Sequence, residues 1–215
     1  MDWSLGLSPK EVVYWVGQAA TASLAAAAVM ESGRKRFDLF GILVVAFTAA
    51  LGGGSLRDVL LDRPVFWIGD PTYLAVALGS ALLTFFAAAR WTLSARVFLI
   101  TDAIGLALFT VVGTQIALRL EVHWLPASFL GVFSGVMGGI LRDILCNEEP
   151  LVFRGPLYAT AAWAGSLFYV LLLPVLGEGV LPSLLAGLLI LGIRWAAVRW
   201  SLQLPSFRSP PSKPS

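Results

Sequence analysis

The sequence predicts an all-α membrane protein of seven transmembrane helices: two inverted three-helix repeats followed by a seventh helix. Three observations carry that expectation. Of 215 residues, 58% are hydrophobic and 13% charged, with a mean hydropathy of +0.82; a water-soluble domain needs about a quarter charged residues for its surface. The apolar residues fall into seven long runs, and a hydrocarbon layer about 30 Å thick asks for roughly 20 such residues per helix. A motif from the second run then returns in the fifth. Strands of a membrane barrel would be shorter and would alternate, so the runs are helices.

The spans are expected at about 12–30, 38–60, 72–89, 97–118, 127–146, 157–176 and 180–198. The first closes at Glu31-Ser32-Gly33-Arg34-Lys35-Arg36, and its alanines, Ala19, Ala20, Ala22 and Ala25 to Ala28, suit close helix packing. Its flank, Ser8-Pro9-Lys10-Glu11, lacks the basic leader of a cleaved signal. The second ends at Asp62-Arg63-Pro64, the third opens at Pro71, and Arg90 to Arg96 separate it from the fourth. Glu121 to Pro126, Pro150 to Pro156 and Gly177-Glu178-Gly179 set off the last three. Beyond Ser201 the prolines Pro205, Pro210, Pro211 and Pro214 among serines read as a disordered tail. The expected units are therefore 10–92, 93–178, 179–200 and the tail 201–215. Trp3, Trp15, Trp67, Trp91, Trp124 and Trp200 lie near span ends, as an interfacial belt requires. The one cysteine, Cys146, excludes an internal disulfide and reads as packing.

Charge sets the orientation. With the N-terminus outside, Arg34, Lys35, Arg36, Arg90, Arg96, Arg142, Arg154, Arg194, Arg199, Arg208 and Lys213 fall inside, and only Lys10, Arg57, Arg63 and Arg119 outside. That bias places the C-terminus in the cytoplasm, as an odd number of spans demands.

GGGSLRDVL at residues 52–60 returns as MGGILRDIL at 137–145, with Gly53, Gly54, Leu56, Arg57, Asp58 and Leu60 repeated as Gly138, Gly139, Leu141, Arg142, Asp143 and Leu145. Tyr73 and Tyr158 stand at the same shift of 85 residues, and a Val-Phe pair follows each motif. Three spans per unit make the second copy enter from the opposite face, with a pseudo-two-fold axis in the membrane plane. Glycines deep in a span weaken the helix by about 1 kcal/mol each. Two readings stay open. The helices break there, baring carbonyls along an ion pathway, or the glycines let two helices touch; repetition before an Arg-Asp pair favours the pathway.

Arg57, Asp58, Asp102, Arg142 and Asp143 lie in or at the edge of apolar spans, where ionisable groups are expensive and functional. Neighbouring Arg and Asp point about 100° apart on a helix, so each is expected to pair elsewhere. Asp102 and Arg142 fall in the same leaflet and are expected to form an ion pair. Gly17 occupies the position in the first repeat that Asp102 occupies in the second, which makes the pathway electrically asymmetric.

No His-Glu-x-x-His metal motif and no phosphate-binding loop occurs, and the only histidine, His123, is in a loop. These absences argue against an enzyme, a metal site and a cofactor, and nothing points to nucleic acid.

The two Gly-Arg-Asp motifs in spans two and five, with the inverted repeat, resemble the trimeric intracellular cation channel family in its short prokaryotic members. Related bacterial sequences carry a glycine-transporter name. The resemblance covers roughly residues 10–200. It implies a homotrimer in a bacterial inner membrane, each protomer with its own potassium-preferring pore that also passes sodium, bent at Gly52, Gly53, Gly54, Gly138 and Gly139. It places Arg57, Asp58, Arg142 and Asp143 beside that pore, among membrane lipids. Met137 stands where the first repeat has Gly52, and the long basic tail of animal members is missing. A secondary transporter for glycine or a similar zwitterion is the alternative, since broken helices suit alternating access equally well.

Overall fold

The computed structural model describes residues 8–91, 94–154 and 156–205. Among them the chain forms nine helices: α1 (Pro9–Ser32), α2 (Leu39–Leu60), α3 (Phe66–Gly69), α4 (Thr72–Arg90), α5 (Ala95–Arg119), α6 (Trp124–Leu145), α7 (Leu151–Arg154), α8 (Ala159–Leu176) and α9 (Val180–Trp200). Seven of these are long and apolar enough to cross a membrane, and their ends fall within three residues of the expected spans. Most of the expected disordered tail, 206–215, lies outside the described residues.

Local chemistry starts the helices where the sequence punctuates them. Ser8 and Glu11 form a reciprocal capping box on α1, and the Asp38 carboxylate accepts from Gly41 N at the head of α2. Ser94 caps α5 in the same way. α5 is the most buried helix, whereas α4 fully buries only Ala77 and Ala81. The alanine surface of α1 is used within the protomer: Ala20, Ala25, Ala27 and Ala28 are fully buried in the core. α9 packs on α5 and α8, both in the second repeat. Cys146 is buried beyond the end of α6, and burial pushes its thiol up to about 11.

The two short helices were not expected from hydropathy, since four residues carry no periodic signal. They belong to the repeat nonetheless: α3 and α7 stand 85 residues apart, like the motifs they follow.

Candidate functional site

α2 and α6 cross at their glycines, and the crossing shows the inverted symmetry directly. A methyl group at Gly53 would overlap the Ser134 carbonyl oxygen, and one at Gly138 would overlap the Ala49 carbonyl oxygen. Ala49 and Ser134 are themselves repeat equivalents. Such an exchange, in which each partner meets the other's counterpart, is what a two-fold axis produces. The outer glycines also touch protein: Gly54 faces Phe66 of α3, Gly52 faces Leu141, and Gly139 lies with its methyl position 3.1 Å from the Tyr158 hydroxyl.

These contacts correct the expectation of broken helices. α2 and α6 run through Gly52–Gly54 and Gly138–Gly139 without interruption. Removing a side chain at the crossing lets one backbone reach the other, and that packing satisfies the helix rather than opening it.

At the end of each crossing helix the Arg-Asp pair builds one device twice. Arg57 Nε donates to Asp58 Oδ1 at 2.9 Å, and Arg142 Nε donates to Asp143 Oδ1 at 2.8 Å. Neighbouring residues thus pair with each other, against expectation. The arginine stem is long enough to bend back over the 100° between them, and its planar fork suits the carboxylate. The other carboxylate oxygen turns to the returning chain. Asp58 Oδ2 accepts from Phe66 N and Asp143 Oδ2 from Leu151 N, each at 2.9 Å and each at the first residue of a short helix. Between them the helix ends in a Schellman turn: Arg63 N and Glu148 N donate to the carbonyls of Asp58 and Asp143. Asp62 and Asn147 take the left-handed position at φ 49° and 51°, a region that short polar side chains tolerate. Each aspartate therefore joins helix end, arginine and re-entering loop.

The two ends differ in their third member. Arg142 Nη1 donates to Asp102 Oδ1 at 2.5 Å, the ion pair expected from the shared leaflet. Among the described residues Arg57 has no such second carboxylate, because Gly17 stands in that place; Arg63, more exposed, reaches Asp58 at 3.6 Å instead. Both arginines and all three aspartates are almost wholly buried. Aromatic rings cover the guanidinium groups, Phe66 over Arg57 at 5.8 Å and Phe98 over Arg142 at 4.8 Å.

Arg194 on α9 joins the second cluster and was counted in the sequence only for topology. It is 1% exposed, donates to the Pro156 carbonyl and lies 4.6 Å from the centroid of the Tyr158 ring. A lone arginine inside an apolar run was the available signal. With it the second cluster holds two arginines and two aspartates, all buried.

The sequence profile of a family described as glycine transporter matches the chain twice, over residues 14–89 and 99–174. The inner membrane protein YadS of Escherichia coli (strain K12) is 38% identical over 204 residues, covering 91% of this chain and 96% of that protein. A membrane protein of Deinococcus radiodurans is 38% identical over 203 residues, covering 93% and 94%. Among solved structures, the trimeric intracellular cation channel orthologue from Rhodobacter sphaeroides superposes with a TM-score of 0.83 at 32% identity, over 89% of this chain and 99% of that one. A prokaryotic channel of the same kind, crystallised in 0.5 M KCl, shares the fold with a TM-score of 0.83 at 22% identity, over 91% and 100%.

Proposed function

The chain belongs to the trimeric intracellular cation channel family as a short prokaryotic member, and we propose on that premise that it conducts monovalent cations. The observation that carries this reading is the match to a solved channel of that family over nearly the whole of both chains. In the proposed assembly three copies surround one axis and each protomer holds its own path, permeable to potassium and sodium and preferring potassium. The protein sits in a bacterial inner membrane among its lipids, with the N-terminus outside and the C-terminus in the cytoplasm.

The path is assigned to the interface of the two repeats, beside the crossing of α2 and α6. Its flanking charges are Arg57 and Asp58 at one end and Asp102, Arg142 and Asp143 at the other. The carboxylates Asp102 and Asp143 offer the negative field a cation needs, and Arg142 and Arg194 hold that field in check. In the conformation described, the crossing is closed by backbone-to-backbone contact. Conduction then calls for the repeats to shift there, and the glycines suit such a shift because no side chains interlock. Gly52, Gly53, Gly54, Gly138 and Gly139 keep the hinge role in this sense.

The description of the matching family supports a second reading, a secondary transporter for glycine or a similar zwitterion. One preparation separates the two. Planar-bilayer recording between unequal potassium chloride solutions is expected to show discrete steps reversing near the potassium equilibrium potential. A silent bilayer with saturable glycine uptake into liposomes would overturn the channel in favour of the transporter.

A further inference from the structure

The two repeats place the same residues around their arginines, with one substitution that leaves a hole. In the second repeat Asp102 contacts Arg142 beside the Tyr158 ring. In the first, Arg57 and Tyr73 keep those places, but Gly17 replaces the carboxylate. A cavity of about 30 Å³ lies there, lined by Gly17, Arg57 and Tyr73 together with Val13, Phe66 and Phe109. That is room for a water-sized body.

The electrostatics of the cavity are unsatisfied. Arg57 is 1% exposed, and its Nη1 is buried without a hydrogen-bond partner among the described residues. Among the described residues its sole close carboxylate is Asp58, which is shared with Phe66 N and with Arg63. Among the described residues the Tyr73 hydroxyl, 2.9 Å from the methyl position of Gly17, donates only to the Tyr14 carbonyl, at a long 3.5 Å. One buried donor, Arg57 Nη1, and one partly buried donor, the Tyr73 hydroxyl, thus line a void in which the sister repeat places negative charge, and the cluster of Arg57, Arg63 and Asp58 carries one positive charge in excess. A buried donor left unmade is costly, more so when charged.

We propose that this cavity is a binding site for a small monoatomic anion of halide type, held by Arg57 Nη1 and the Tyr73 hydroxyl in the place a carboxylate takes in the other repeat. The anion completes the first cluster as Asp102 completes the second, and it does so whether or not the chain conducts. A water molecule fits the volume equally well but brings no charge.

The test uses the purified full chain and two readouts that do not depend on conduction. Crystals grown in sodium bromide are expected to show anomalous bromide density beside Arg57. In detergent, at constant potassium and ionic strength, exchanging gluconate for chloride or bromide is expected to raise Tm by about 3 °C or more, the size of effect from a ligand well above its dissociation constant. The Gly17→Asp variant supplies the missing carboxylate and is expected to lose both responses. Should that variant fail to fold, Tyr73→Phe removes one donor and is expected to weaken halide binding about tenfold. A cavity holding water without bromide overturns the proposal. So does a halide response of equal size in the wild type and in either variant.

Discussion

Gly53 and Gly138 meet at the pseudo-two-fold axis: a methyl group on Gly53 would stand 3.1 Å from the Gly138 nitrogen and overlap a carbonyl of the opposite helix. Neither position has room for a side chain, and the atoms in the way are backbone. Gly53→Ala and Gly138→Ala are therefore expected to destabilise the fold by similar amounts, roughly 1–3 kcal/mol each from overpacking. Gly79, on α4, has nothing within 4 Å of its methyl position. There the same change should be neutral or stabilising by about 0.5–1 kcal/mol. Thermal unfolding of the three variants in one detergent checks the pattern. A Gly53 variant as stable as the Gly79 variant would refute the close crossing.

The aspartates in the two devices are not equally replaceable. Asp58→Ala leaves the buried Arg57 without a carboxylate, and removing one partner of a buried pair costs about 3–5 kcal/mol. Asp143→Ala leaves Arg142 its bond to Asp102 and should cost less. Equal losses in Tm would mean that the second carboxylate contributes nothing at Arg142.

Asp102→Asn keeps the shape of the second cluster and removes one negative charge. Under the channel reading, single-channel potassium conductance is expected to drop several-fold and cation preference over chloride to weaken. Recordings indistinguishable from wild type would place the path elsewhere.

Arg57→Ala and Arg142→Ala, reconstituted side by side, test the flanking charges as gates. Each is expected to change open probability. Unchanged gating in both would remove the arginines from that role.

Cys146 reports on the integrity of the α6 terminus. Its thiol is 1% exposed and pushed up to about 11, so it is protonated at neutral pH. The thiolate fraction rises with pH up to that value, so maleimide labelling of the folded protein should be slow at pH 7 and climb about tenfold per pH unit below it. Labelling at pH 7 as fast as in the unfolded chain would show that the site is open.

What the sequence discloses here follows the range of the forces involved. The seven spans are legible because twenty apolar residues in a row leave a bilayer little choice. The Asp102–Arg142 pair was legible because topology alone puts both groups in one leaflet, where each needs a partner. The Arg57–Asp58 and Arg142–Asp143 pairs were not, since helical projection treats side chains as spokes and ignores how far an arginine can fold back. Nor were α3 and α7, whose first turns depend on a carboxylate eight residues upstream. Arg194 escaped notice because it lies outside the repeat and has no counterpart to draw attention to it. For the glycines two readings were open: the reciprocal contacts with Ala49 and Ser134 show unbroken helices in close contact, and a pathway beside them stands as a proposal.

The reciprocity of the α2–α6 crossing constrains how such a molecule can arise. A polypeptide of one repeat alone could form the same contact only with a copy lying upside down, so it would have to enter the membrane both ways in comparable numbers. Fusing two copies with an even number of spans each would break the pairing; three spans each preserve it. Once fused, the halves no longer need an ambiguous charge balance, and each can drift. Asp102 opposite Gly17 is a trace of that freedom, as is α9, which attaches to one half and ends the equivalence of the two faces.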